Sequence, residues 1–263
     1  MILVFDVGNT ELTIGLFSES EMRGHWRIMT DVSRTSDEFG VLLRSLLGAD
    51  DFSPDVVESV AIGSVVPRVT APLSDACQAY FRVGKPLVVD ARTPLPITLE
   101  VDEPLTVGAD RLINTLAASR IYARDAIVVD MGTATTFDCI TADGVFLGGV
   151  IAPGILTSAE TLTRRTSKLP ATELVVPARV IGRRTEECIR AGVLFGGADA
   201  IDGIVGRIKQ SWPRPQVPMV IATGGFAETM ATLCSSFDRV EPYLTLQGLQ
   251  IAHALVRRPA ELA

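Results

Sequence analysis

Histidine and paired cysteines are scarce in this chain of 263 residues, which contains only two histidines and four cysteines. The cysteines are far apart and none belongs to a CxxC pair, so the usual ligand spacing of a zinc site is missing. We therefore expect reduced thiols that pack as small hydrophobic side chains, as is common in cytosolic proteins.

Long apolar runs and an excess of basic residues are also missing. No window approaches the roughly 18 uninterrupted apolar residues of a membrane-spanning helix, and no basic segment precedes the first apolar run. We therefore expect neither a membrane anchor nor a secretion signal. The net charge of −7 argues against a nucleic-acid-binding surface. The apolar content of 47% favours a globular, cytoplasmic protein that handles small molecules.

Strand-like and helix-like segments alternate along the chain, which predicts an α/β fold. Strands are predicted within 2–5, 12–17, 57–67, 86–91 and 126–132, a helix over 111–123, and a strand, a glycine turn and a helix over 219–234. The proline-containing segment 211–218 is predicted to be a loop.

The most informative pattern is an internal repeat. The stretch ILVFDVGNT (2–10) is echoed by IVVDMGTAT (127–135), and each is an apolar strand that ends in Asp-x-Gly before hydroxyl or amide side chains. Asp6 and Asp130 lie 124 positions apart (130 − 6), which is close to half of the chain. Two copies predict two like domains that face each other across a cleft, with boundaries at 1–118 and 119–263.

An Asp-x-Gly turn has the chemistry that a nucleotide with a bound metal ion needs. Gly8 lets the main chain approach a ligand closely, while amide N–H groups and the side chains of Asn9 and Thr10 can bind phosphate oxygens. A carboxylate repels phosphate, so a metal ion, or a water molecule that a metal ion holds, must lie between them. One such turn could equally be an Asx-turn that closes a hairpin, but two copies favour the ligand-binding interpretation.

These motifs resemble the actin–hexokinase–Hsp70 superfamily of ATP-using proteins, and most closely its type III pantothenate kinases. The resemblance rests on segments that span nearly the whole chain in the expected order: DVGNT (6–10), SVVP (64–67), VGADR (107–111), VVDMGTATTFDCI (128–140), GGVIAPG (148–154), IGRRT (181–185), ATGGFA (222–227) and YLTLQGL (243–249). It implies two duplicated actin-like (ribonuclease H-like) domains that flank a nucleotide cleft. It also implies ATP-dependent phosphorylation of pantothenate to 4'-phosphopantothenate, the first step of coenzyme A synthesis.

The resemblance further implies a role for each matching residue. ATP would be bound by the loop Asp6, Val7, Gly8, Asn9, Thr10, Glu11, Leu12 and Thr13, and by Thr133. Pantothenate would be bound by Gly108, Ala109, Asp110, Arg111 and Thr185. Asp110 corresponds to the family's proton acceptor, and Asp130 to its ligand for potassium or ammonium. A divalent cation, Mg²⁺, would accompany ATP, and family members are homodimers.

Local chemistry agrees with these roles but leaves simpler alternatives open. Asp110 begins the predicted helix, where the helix dipole favours an ionised carboxylate, and Arg111 could grip the carboxylate of pantothenate. Asp110 could also be a plain helix-terminus charge, and Thr185 could be a helix N-cap. The chain departs from the family at Val101, where a tyrosine is usual, and at Arg184, where an asparagine is usual. Both departures concern the substrate rather than ATP.

Two other functions stay open. The chain could phosphorylate another small hydroxylated acceptor, or it could be a non-catalytic, nucleotide-binding accessory protein of the same fold. A non-catalytic relative should have lost one of Asp6, Asp110 or Asp130, and this chain retains all three.

Overall fold

The computed structural model describes residues 1–257, which divide by their internal contacts into two units. Within the described residues, the first unit comprises Met1–Arg120 and Leu244–Arg257, and the second comprises Ile121–Tyr243. The division after Arg120 lies two residues from the expected boundary between 118 and 119, and the helix that begins at Leu244 belongs to the first unit. That helix packs on the first sheet, because it needs an apolar surface on which to bury Leu244 and Leu249.

The first unit is built on a sheet whose strand order is β3-β2-β1-β4-β5. Strand β1 is antiparallel to β2 and parallel to β4, which is in turn parallel to β5. The strands and α-helices of this unit are β1 (Ile2–Val7), β2 (Glu11–Ser18), β3 (Glu21–Met29), α1 (Ser36–Ala49), β4 (Ser59–Ser64), α2 (Pro67–Phe81), β5 (Leu87–Val89), β6 (Thr98–Leu99) and α3 (Ala109–Tyr122). Two short 3₁₀ helices lie at Pro54–Val56 and Pro104–Thr106.

The second unit repeats this order of strands as β9-β8-β7-β10-β11. Strand β7 is antiparallel to β8 and parallel to β10, as β1 is to β2 and β4. The elements are β7 (Ala126–Met131), β8 (Ala134–Ile140), β9 (Val145–Pro153), α4 (Ile155–Arg165), α5 (Thr185–Gln210), β10 (Met219–Thr223), α6 (Ala227–Ala231) and β11 (Arg239–Val240), after which α7 (Leu244–Arg257) returns to the first unit. The duplication predicted from the two Asp-x-Gly stretches is confirmed.

The central strands are apolar along their whole length because helices cover the sheets. Leu3, Val4 and Phe5 of β1 are each at most 1% exposed, and residues 126–129 of β7 are fully buried. A strand that is buried on both faces cannot show the alternation of a half-exposed strand, which explains the continuous apolar runs. No helix within residues 1–257 is long and apolar enough to cross a membrane.

Candidate functional site

The first Asp-x-Gly stretch is the tight connection between β1 and β2. Asp6 pairs with Thr13 in β2 and with Gly63 in β4, so it lies one residue before the end of the central strand. The N–H of Gly8 donates to the carbonyl of Glu11 at 2.9 Å and closes the turn. Asn9 and Thr10 form its exposed tip, which places their polar groups where a ligand could reach them.

The side chains of the segment Asp6–Thr13 differ in their exposure to solvent. Val7 and Leu12 are at most 1% exposed and belong to the core of the first unit. These two residues could contact a ligand only through their main-chain atoms. Glu11 is exposed and lies 3.7 Å from Arg27 in a surface ion pair, an interaction that typically contributes ~0–1 kcal/mol.

The segment Gly108–Arg111 lies at the same edge of the first unit as this turn. Strands β1 and β4 are parallel, so their carboxyl ends meet, and the N–H of Val65 donates to the carbonyl of Val7 at 3.1 Å. A Cβ built on Gly108 would lie 3.5 Å from Cγ1 of Val65. The structure therefore brings the first turn and the predicted substrate segment to neighbouring positions, and ligands of open α/β sheets bind at such carboxyl edges.

Asp110 is the second residue of α3, and its carboxylate folds back over the start of the helix. Its Oδ1 accepts the N–H of Arg111 at 2.9 Å, and a Cβ on Gly108 would lie 2.5 Å from that oxygen. Burial raises the pKa of Asp110, and the backbone N–H and positive charge of Arg111 offset part of the effect. The helix dipole favours the ionised carboxylate, as expected from its place at the start of the helix, but desolvation is the largest effect on this pKa. A raised pKa makes the carboxylate a better proton acceptor.

The second Asp-x-Gly stretch connects β7 and β8 in the second unit. Asp130 pairs with Thr136 in β8 and with Thr223 in β10, matching the position of Asp6 between its two neighbours. This connection is one residue shorter than the one between β1 and β2. The N–H of Gly132 closes it by donating to the carbonyl of Ala134 at 3.0 Å. Thr133 forms its exposed tip.

The carboxylate of Asp130 lies beside main-chain atoms of the turn that follows β10. Within residues 1–257, no three His, Cys, Asp or Glu side chains gather as a metal site. The turn after β10 approaches so closely that a Cβ on Gly224 would lie 2.6 Å from Oδ1 of Asp130. One carboxylate beside main-chain atoms fits a cation whose coordination is completed by other oxygens, such as those of a phosphate or water.

Thr185 is the first residue of α5, and the N-cap is Arg184, which makes no side-chain capping bond. The alternative interpretation of Thr185 as the N-cap is therefore wrong. Glu187 holds the preceding loop, accepting the N–H of Arg183 at 2.8 Å and the guanidinium of Arg179 at 2.9 Å. These bonds, led by the one from Arg183, lower the pKa of Glu187. Thr185 is exposed.

Two residues beside the turns were missed by the sequence argument. Thr30 donates its hydroxyl to the carbonyl of Gly8, and Thr157 donates its hydroxyl to the carbonyl of Thr133. Each is more than 20 positions from its partner, so no local motif could have indicated the contact.

Comparison with known proteins shows which family this chain belongs to. The profile of the type III pantothenate kinases matches residues 2–207. A type III pantothenate kinase from Roseiflexus sp. (strain RS-1) is 44% identical over 257 residues, covering 98% of this chain and 100% of the relative. This chain belongs to the type III pantothenate kinase family.

Solved structures similar to this type III pantothenate kinase family member show its fold. A conserved putative Baf family transcriptional activator from Campylobacter jejuni has a TM-score of 0.57 at 17% identity, covering 99% of this chain and 100% of the other. An activator of 2-hydroxyisocaproyl-CoA dehydratase from Clostridium difficile, with bound ADPNP, has a TM-score of 0.57 at 10% identity, covering 100% and 97%. At these identities the likeness concerns the fold alone, which is that of duplicated actin-like domains.

Proposed function

We propose that this chain transfers the γ-phosphoryl group of ATP to the primary hydroxyl of pantothenate, forming 4'-phosphopantothenate at the start of coenzyme A synthesis. One observation carries the proposal: Asp110, a carboxylate with a raised pKa, lies at the same sheet edge as the Asp6–Gly8 turn. Membership of the family supports pantothenate as the acceptor.

The proposed reaction needs a base and binding contacts to each substrate. It needs little covalent chemistry from the protein. The hydroxyl oxygen of pantothenate attacks the γ-phosphorus, the bond to ADP breaks, and the hydroxyl proton passes to Asp110. Arg111, which follows Asp110 in α3, would bind the carboxylate of pantothenate with Gly108 and Ala109 in close main-chain contact. Thr185 would be a further pantothenate contact.

The Asp6–Thr13 segment and Thr133 are the proposed contacts of ATP. Val7 and Leu12 would take part through their main chain, since their side chains are in the core. Asp130 would hold potassium or ammonium, and Mg²⁺ would arrive with ATP. These cations supply positive charge against the phosphates and lower their repulsion for the attacking oxygen.

A homodimer is the proposed assembly, and exposed apolar side chains of the second unit support it. Ile181 is 83% exposed and Ile151 is 64% exposed, and several more apolar side chains lie near them in the chain: Val150, Leu156, Leu162, Val175, Val176 and Val180. Such surfaces mark protein interfaces when they are contiguous. Sedimentation analysis should give a dimer for the wild type and a weakened dimer for Ile181→Lys. A monomeric wild type would contradict this part of the proposal.

A cytoplasmic location and two domains complete the proposal. All four cysteines are free thiols in the structure, in keeping with a reducing compartment. Each unit has its own sheet and its own Asp-x-Gly turn, which supports a division into two actin-like domains.

An ADP-release assay with a panel of hydroxylated acceptors tests the proposed function. We expect turnover with pantothenate to exceed that with every other acceptor, and to rise when potassium replaces sodium. Equal or higher turnover with another acceptor would contradict pantothenate as the preferred substrate and favour that acceptor. ATP binding without turnover on any acceptor would instead favour a non-catalytic accessory protein.

A further inference from the structure

A threonine hydroxyl from outside the turn binds a carbonyl oxygen of each Asp-x-Gly connection. In the first unit, Oγ1 of Thr30 lies 2.7 Å from the carbonyl oxygen of Gly8. In the second unit, Oγ1 of Thr157 lies 2.6 Å from the carbonyl oxygen of Thr133. Thr30 follows β3 and Thr157 belongs to the first turn of α4, so the two units reach the same contact from different elements.

The contact in the first unit fixes the orientation of the peptide group at the tip. The N–H of Thr30 also donates to the carbonyl of Thr10, at 2.9 Å, so that Thr30 holds carbonyls on both sides of Asn9. In a trans peptide group the C=O and N–H bonds point in opposite directions. With the Gly8 carbonyl directed at Thr30, the N–H of Asn9 is directed away from it. Phosphate oxygens bind to N–H groups and are repelled by carbonyl oxygens.

The contact in the second unit is reinforced by the beginning of α4. The carbonyl of Thr133 also accepts the N–H of Gly154, at 3.2 Å, so that two donors fix this one oxygen. A Cβ on Gly154 would collide with the carbonyl oxygens of Gly132 and Thr133, and only glycine permits this approach. The residue proposed to contact ATP is thus tied through its own carbonyl to Thr157.

We propose that Thr30 and Thr157 are positioning residues that keep the carbonyls of the two turns directed away from the phosphates of ATP. The proposal rests on the ATP-binding role proposed above for these turns. Neither threonine needs to touch ATP. Without the hydroxyl, the peptide group can rotate and present its carbonyl oxygen to the phosphates, which weakens nucleotide binding and leaves pantothenate binding unchanged.

Thr30→Val and Thr157→Val test the proposal, since valine keeps the shape of threonine and lacks the hydroxyl. The affinity for a non-hydrolysable ATP analogue should fall about two- to tenfold, as expected for one lost hydrogen bond. The KM for pantothenate should stay at the wild-type value, and Thr30→Ser and Thr157→Ser should restore nucleotide affinity. Thr232→Val is the matched control, because Oγ1 of Thr232 donates to the carbonyl of Thr229 in α6 at 2.8 Å and to no carbonyl of either turn.

The outcomes separate this proposal from the proposed function. If the wild type phosphorylates pantothenate and both valine variants bind the analogue as tightly as the wild type, the positioning role is wrong while the function stands. If the wild type binds the analogue but does not phosphorylate pantothenate, the function is wrong and the affinities still decide the positioning role. If a valine variant does not fold, the Ser and Ala variants at the same position are compared instead, because their side chains differ by one hydroxyl group. Equal affinity in that pair would overturn the proposal.

Discussion

The main chain of Gly224 packs directly against the carboxylate of Asp130. Gly224 has a φ of +89°, and a Cβ there would lie 2.6 Å from Oδ1 of Asp130 and 2.7 Å from the nitrogen of Met131. Strands β7 and β10 are parallel neighbours, so the turn after one approaches the end of the other. Glycine is needed both for the backbone conformation and for the space, and it thereby sets the position of the proposed cation ligand.

We expect Gly224→Ala to lower stability by ~1–3 kcal/mol, from strain and overpacking. The displaced Asp130 should also reduce the stimulation of activity by potassium. Thermal melts and rates in potassium and sodium salts measure the two effects. Gly206→Ala is the control, because nothing lies within 4 Å of a Cβ at that position in α5. A Gly224→Ala protein with wild-type melting and potassium response would contradict this account.

Replacing sodium by potassium or ammonium at constant ionic strength should raise activity if Asp130 holds a monovalent cation. The reason is that the cation offsets phosphate repulsion, and its size and hydration decide which ion fits. Asp130→Ala should lose this dependence. Steady-state rates in the three chloride salts measure it. Equal rates in all three for the wild type and for Asp130→Ala alike would remove the cation site from the mechanism.

Val101→Tyr should lower the KM for pantothenate about two- to tenfold through a new hydrogen bond worth ~0.5–1.5 kcal/mol. Val101 is half-buried in the bend between β6 and the 3₁₀ helix Pro104–Thr106. The KM for ATP should not change, and it serves as the internal control. Overpacking would show itself as a lower melting temperature. A variant that melts normally and has an unchanged KM for pantothenate would show that position 101 does not face the substrate.

Asp110→Asn should be at least as stable as the wild type at neutral pH, because burial disfavours the ionised carboxylate. Since the pKa of Asp110 is raised in the folded state, the wild type should gain stability relative to the variant as the pH falls through that pKa. The gap should close below the ordinary pKa of an aspartate, where the carboxyl group is protonated in both states. Melting temperatures across acidic and neutral pH measure this. A variant that is less stable only at neutral pH would mean that the ionised carboxylate stabilises the fold.

The sequence was most informative where a strand meets a ligand-type turn. The repeated Asp6 and Asp130 turns predicted the duplication, and the confirmed segments include β4, β5, α3 and the β10–α6 unit. The strands among them are short apolar runs bounded by turn residues, which is the pattern of a buried strand.

Helices α1, α2, α4 and α7 were not predicted from the sequence. Helix α2 begins at Pro67 and includes Pro72, and proline, which lacks an N–H donor, weakens the helical pattern of this segment. Helix α1 did carry a signal, since Thr35 and Glu38 form a capping box. The contacts of Thr30 and Thr157 and the pKa of Asp110 depend on tertiary packing, which no local pattern contains.

The turnover of Asp110→Asn with ATP and pantothenate tests the central claim most directly. The substitution keeps the shape of the side chain and removes the proposed proton acceptor. We expect formation of phosphorylated pantothenate at saturating substrates to fall ~10²–10⁴-fold, with unchanged binding of a non-hydrolysable ATP analogue. Asp55→Asn, an exposed carboxylate in the same unit, should keep wild-type turnover. Retention of more than about half of the wild-type turnover by Asp110→Asn would contradict the account.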